Sequence, residues 1–154
     1  MNYQLVATMA AGLESVTTKE LKALGIQTRT ENGKVYFEGN DQTIALTNVW
    51  LRSADRIKIV IGQFKARTFD DLFEGVKALP WDHFLPLDAA FPVAGRAVRS
   101  QLHSEPDVQA ITKKAIVEKM SAVYHRTTRL PETGATYPLE VSILKDVEIR
   151  KSVV

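Results

Sequence analysis

The chain has 154 residues, no cysteine, 45% apolar and 25% charged residues, and a formal net charge of +2. That length suits one ordinary domain or two small ones, and the composition excludes a disordered tail, a collagen-like fibre and a coiled-coil rod. Without cysteine there is no disulfide, thiolate nucleophile or Cys-based zinc site, and the longest apolar run, Ile57 to Ile61, is broken by Lys58, so no membrane span is expected.

In chain order, MNYQLVATMAAGLES sets no basic segment ahead of a hydrophobic core, so no secretory signal is expected and the location expected is cytoplasmic. Tyr3 to Met9 is an apolar run of strand length. Gly12 breaks it, and Leu13, Val16, Leu21 and Leu24 then recur near helical spacing, with Gly25 where a helix-ending glycine belongs. Two alternating segments follow, Ile26–Glu31 and Lys34–Glu38. They are joined by Asn32-Gly33, a dipeptide suited to the positive φ angles of a type I′ hairpin. Asn40 or Asp41 can cap a second helix running to about Leu51, and Arg56–Phe64 is a β-branched strand. The order βαββαβ predicts a ferredoxin-like unit over residues 1–65, with both helices on one face of a four-stranded antiparallel sheet.

Residues 66–154 follow a different order. Thr68 can cap a helix to about Ala78, Pro80 stops it, and Trp81–Pro86 reads as an aromatic turn. Ala90–Val98 alternates loosely as a strand interrupted by Gly95. Ser104-Glu105-Pro106 opens a long helix reaching about Tyr124, Pro131–Gly134 is a loop, and Tyr137–Val147 reads as one long strand. The whole chain is therefore expected to be α+β, a ferredoxin-like domain followed by a mixed α/β domain.

Charge is segregated within this second part, with a net −3 over residues 66–92 and +4 over residues 93–129. Such a field can draw a polyanion to one side of a nearly neutral molecule. Catalytic patterns are missing: His83, His103 and His125 share no metal-ligand spacing, Asp82-His83 reads as a turn pair, and Ser100 and Ser104 lie in no nucleophile elbow. Gly62, Gly75 and Gly95 are isolated, so no glycine-rich turn for a dinucleotide or S-adenosylmethionine is expected here. The sequence stands out instead at Phe91–His103. There Gly95 allows close backbone approach, and Arg96 and Arg99 bracket the polar exit Ser100-Gln101 ahead of a helix start. Guanidinium forks and free helix N–H groups together suit phosphate. On the long helix, Lys113 and Lys114 fall outside the apolar face, whereas Lys119 falls inside it and is expected to lay its methylenes on the core.

GLESVTTKELKALGI, ENGKVYFEG, NVWLRSADRIKIVIGQFKARTFDDLFEGVKALPW and FPVAGRAVRSQLHSEPDVQAITKKAIVEKM, in this order, resemble the N-terminal part of THUMP-containing RNA methyltransferases. The nearest group is the bacterial 23S rRNA guanine-N2 methyltransferases. The resemblance covers residues 1 to about 147 and implies a ferredoxin-like domain followed by a THUMP domain that binds structured RNA, with 23S rRNA as the implied partner. In that family an S-adenosylmethionine-dependent methyltransferase domain is covalently linked downstream. Its glycine-rich cofactor turn and Asn/Asp-Pro-Pro-Tyr-type motif are absent from this chain, and the ending VEIRKSVV departs from the family pattern. No cofactor is therefore expected in this chain itself, nor a membrane or DNA partner. The RNA-facing positions carry over to Arg96, Arg99, Ser100, Gln101, Lys113 and Lys114, and more weakly to Lys65 and Arg67. The competing reading is a ferredoxin-like regulatory module for a small ligand, which would need a pocket with convergent polar groups.

Overall fold

A computed structural model describes residues 2–97, 104–127, 129–143 and 147–152. The chain divides into two compact units, Met1–Val60 with Ser152–Val154, and Ile61–Lys151.

The first unit contains β1 (Tyr3–Thr8), α1 (Glu14–Ala23), β2 (Arg29–Glu31), β3 (Lys34–Gly39), α2 (Asp41–Trp50) and the first five residues of β4 (Arg56–Phe64). The strands run antiparallel in the order β2-β3-β1-β4, as the ferredoxin-like pattern predicts. Leu5, Val6 and Ala7 are all buried because β1 is a central strand with apolar neighbours on both faces. Leu5 sits in register with Phe37 and Ile59, and Ala7 with Val35 and Ile57, while Val6, Tyr36 and Val60 cluster on the other face.

Local chemistry fixes the ends of these elements. Asn40 and Thr43 form a reciprocal capping box at the start of α2. At the end of α1, Gly25 takes φ 78°, its N–H meets the Lys22 carbonyl at 2.9 Å and the Ile26 N–H meets the Leu21 carbonyl at 3.0 Å. That last bond shortens β2 relative to the expected Ile26–Glu31. Residues 26–28 are drawn to the helix end, and pairing with β3 begins only at Arg29. The hairpin turn also differs from expectation, since Gly33 adopts φ 74° but Asn32 is not among the positive-φ residues, so the turn is not type I′. Tertiary contacts hold this turn: the Gly33 N–H donates to the Glu14 carboxylate at 2.8 Å, and the Gly33 carbonyl accepts from the Met9 N–H at 3.2 Å.

The second unit holds the rest of β4 and then α3 (Phe69–Lys77), a 3-10 turn (Trp81–His83), β5 (Val93–Ala97), α4 (Glu105–Val123), β6 (Leu139–Ile143) and all but the last residue of β7 (Val147–Ser152). Strand order is β4-β7-β6-β5, with β5 parallel and β7 antiparallel to β6. Trp81, Phe91, Leu72, Val76, Ile116 and Met120 pack with Val141 and Ile149 into one core. The Trp81 indole N–H donates to the Val76 carbonyl at 2.7 Å, satisfying the one polar atom of a fully buried ring.

The expected single strand Tyr137–Val147 is in fact parts of two strands, β6 and β7. Apolar residues keep a period of two through Leu139, Val141, Ile143, Val147 and Ile149, and no Gly, Pro or Asn lies between to mark a reversal. At the other expected strand, Ala90 makes only an isolated bridge to Thr136, and Val98 lies outside the described residues.

Candidate nucleic-acid interface

β5 is the edge strand of the second unit, and its pleat decides which side chains face the helices. Gly95 pairs with Val141, a core residue, and a Cβ at Gly95 would stand 2.8 Å from Gln109 Cγ and 3.2 Å from the Glu105 carbonyl oxygen. Glycine is thus required for α4 to approach β5 closely, as the sequence suggests. Arg96 pairs with Ser142 and by alternation projects from the opposite face. It is exposed and has no ion pair or hydrogen bond among the described residues. Arg99, Ser100 and Gln101 lie outside the described residues.

The two lysines on α4 differ sharply. The Lys113 ammonium donates to a Glu132 carboxylate oxygen at 2.6 Å and to the Phe91 carbonyl at 3.2 Å, and lies 4.1 Å from the Phe91 ring centroid. It ties α4 to the segment entering β5 and to a loop residue held at φ 47°. Lys114, one residue on, is exposed and has no partner among the described residues. Lys65 and Arg67 are likewise exposed with unpartnered side chains, although the Arg67 backbone N–H donates to Asp71 at 3.2 Å. Arg96 and the α4 lysines therefore stand on different sides of the edge strand rather than in one cradle. The start of α4 also differs from a simple anion site: Glu105 and Asp107 occupy its first turn, Pro106 has no N–H, and the Ser104 side chain makes no cap bond.

On the face of the sheet away from α4, Glu148 accepts from Gln63 and Arg150, and Arg150 lies 3.7 Å from Glu140. Arg150 is 3% exposed, and its Nη2 has no hydrogen-bond partner among the described residues. Glu148 and Arg150 at i and i+2 were the available signal, a charged stripe on one face of a strand.

Carboxylates are also employed in the first unit. Glu14 is held below the usual carboxylate range by its own backbone N–H and those of Gly33 and Gly12. Glu20 is lowered mainly by the Ser53 hydroxyl, with the Arg52 and Ser53 N–H groups assisting. In the turn between β1 and α1 the Gly12 N–H is occupied by Glu14 at 2.9 Å and is not free for an external anion. No group of three or more His, Asp or Glu able to hold a metal occurs among the described residues, and no described helix is long and apolar enough to cross a membrane.

Residues 4–58 match the RlmL ferredoxin-like domain, and residues 66–149 match the THUMP domain. The chain belongs to the THUMP-domain family. YpsC of Bacillus subtilis (strain 168), named as a candidate RNA methyltransferase, is 49% identical over 145 residues, covering 94% of this chain and 38% of YpsC. A crystal structure from Listeria monocytogenes str. 4b F2365, named as a candidate N6-adenine-specific DNA methylase, is 58% identical. Its TM-score is 0.95, covering 99% of this chain and 40% of that one. SMU.472, a candidate methyltransferase solved with SAH, is 52% identical with TM-score 0.95 over 98% of this chain and 41% of its own. The chain thus spans about two fifths of the length of the relatives it matches. Their names disagree on the nucleic acid served.

Proposed function

We propose that the THUMP domain, residues 66–154, docks structured RNA and that residues 1–65 form the ferredoxin-like domain accompanying it. The carrying observation is that four of the exposed cations are those at or beside the positions the resemblance marks as RNA-facing. Arg96, Lys114, Lys65 and Arg67 are exposed without partners among the described residues, whereas Lys77, Lys113 and Arg150 are paired to carboxylates. A cation left solvated attracts phosphate at little desolvation cost; one already paired must first give up its carboxylate. Arg96 on β5 grips phosphate together with Arg99, Ser100 and Gln101, which follow it in the sequence. Lys114 and Lys65 with Arg67 extend the field, and Lys113, its charge met by Glu132, holds the α4–β5 junction in shape.

The parent reading is an S-adenosylmethionine-dependent methyltransferase acting in the cytoplasm on 23S rRNA at guanine N2, its catalytic domain covalently linked to this chain. It is supported by YpsC's name, the SAH in SMU.472 and the resemblance of the quoted segments. This chain's part in the reaction is to bind and orient RNA, with S-adenosylmethionine held elsewhere in the parent.

With roughly four to six phosphate contacts at a slope of about −0.9 per contact, affinity falls on the order of 10²–10³-fold between 50 and 200 mM salt. Filter binding of a 23S rRNA hairpin and a tRNA, each titrated with salt, tests both levels. Flat affinity removes the RNA reading, and preference for tRNA removes only the rRNA assignment. Arg96→Ala with Arg99→Ala lowers the slope by about two without shifting the melting temperature.

A further inference from the structure

We propose that the ferredoxin-like unit carries a binding cleft for a single unstacked guanine base, beside the outer edge of β3. The cleft follows from the broken pairing between β2 and β3. Residues 26–28 turn toward the end of α1 instead of continuing along β3. Between them and β3 lies a cavity of about 490 Å³, lined by Gln4, Gln27, Thr28, Arg29, Tyr36 and Glu38 among others. This volume holds a purine with room for its sugar.

The side chains lining it have the chemistry of a base. Gln4 and Glu38 are directly opposed in the β1–β3 register, so an amide and a carboxylate stand side by side on one face. Tyr36 lies two residues from Glu38 on the same face. Arg29, paired with Tyr36 across β2–β3, places its guanidinium 4.5 Å from the ring centroid. The outer plane of that guanidinium offers a flat stacking surface, the arrangement by which unpaired bases are held on arginine. Gln4, Gln27, Thr28 and Glu38 make no side-chain hydrogen bond among the described residues, so their hydrogen-bonding capacity is unspent.

Glu38 decides which base fits. A carboxylate presents two adjacent acceptors, and guanine alone among the four bases presents two adjacent donors, N1–H and the N2 amino group, with O6 beside them for the amide of Gln4. Adenine and cytosine place a ring-nitrogen acceptor against the carboxylate, and uracil flanks its single donor with two carbonyls. Arg29 already has an ion pair to Glu31 at 2.9 Å, so the free charge at the cleft is acidic, suited to a donor edge and not to a phosphate. The base comes either from RNA, which rests on the RNA-binding reading above, or from a free guanine nucleotide.

The test uses the whole chain, labelled with ¹⁵N and titrated with GMP, IMP, AMP, CMP and UMP. GMP shifts the amides of Gln4, Gly25–Thr28, Phe37 and Glu38 saturably. IMP, lacking the N2 amino group, and Glu38→Gln each weaken the interaction by roughly tenfold. Glu38 is exposed, and amide shifts remote from the cleft report whether the variant folds. A second arm measures an oligonucleotide with one unpaired guanine against the same oligonucleotide with adenine. If Glu38→Gln weakens only the guanine form, at unchanged salt slope, the base is delivered by RNA. If GMP binds and Glu38→Gln leaves both oligonucleotides unaffected, the source is a free nucleotide. No GMP shift, or shifts produced by arginine amide in its place, overturns the cleft as a guanine site while the salt slope still decides RNA binding. GMP binding with no RNA affinity at any salt removes the docking reading and keeps the cleft.

Discussion

Replacing Lys113 by methionine separates a strut from a phosphate ligand. Methionine keeps most of the apolar stem and removes the ammonium with its three contacts, to Glu132 at 2.6 Å, the Phe91 carbonyl at 3.2 Å and the Phe91 ring at 4.1 Å. A partly exposed ion pair is worth about 0.5–1 kcal/mol, a hydrogen bond to a carbonyl about 1 kcal/mol, and a cation–π contact about 0.5–1 kcal/mol. Shared by one ammonium, these do not add fully, and roughly 2 kcal/mol is lost. At about 2–4 °C per kcal/mol for a protein of this size, the melting transition falls by about 4–8 °C. Lys114→Ala removes a solvated ammonium and leaves stability within about 0.5 kcal/mol. It lowers the slope of log affinity against log salt by about 0.7–0.9, the equivalent of one phosphate contact. Differential scanning fluorimetry and salt-dependent filter binding on both variants give the comparison. Lys113 is a phosphate ligand and not a strut if Lys113→Met melts with the wild type and flattens the salt slope while Lys114→Ala leaves the slope unchanged.

Gly75→Ala sets helix propensity against packing, because the new Cβ would stand 2.3 Å from Phe64 Cε2. The clash outweighs the roughly 1 kcal/mol gained in propensity, so urea denaturation shows a net loss of about 1–2 kcal/mol, and any gain in stability refutes the packing argument. Trp81→Phe removes the hydrogen bond to the Val76 carbonyl and part of a fully buried ring, costing about 2 kcal/mol by the same assay. Glu14 and Glu20 have folded values below the ordinary 4.5, so the stability they add is complete above that pH and is lost as pH falls through the lower folded values. Glu14→Gln and Glu20→Gln should each make acid unfolding of the first unit less steep. An acid limb identical to the wild type in both variants contradicts the sign worked out here.

Much of the candidate interface was legible as residue types and little as geometry. Gly95 was marked by its place in a strand, and the structure supplies the reason, the approach of α4 through Gln109 and Glu105. Lys113 and Lys114 were indistinguishable in sequence, two adjacent cations outside an apolar stripe. Only the position of Glu132, nineteen residues away, separates them. The guanine-sized cleft had no sequence signal, because it arises where residues 26–28 were expected to continue a strand.

The sequence by itself determined the βαββαβ order, the capping of α2 and α3, the glycine end of α1 and the THUMP membership of residues 66–149. These rest on interactions within a few residues along the chain, which local patterns encode directly. Tertiary structure alone decided the type of the Asn32-Gly33 turn, the length of β2, the reversal between β6 and β7 and which cations are spent on carboxylates. Each depends on a partner far away in the chain, such as Glu14 for the turn or Glu132 for Lys113. A partner of that kind becomes a neighbour only when the chain is folded.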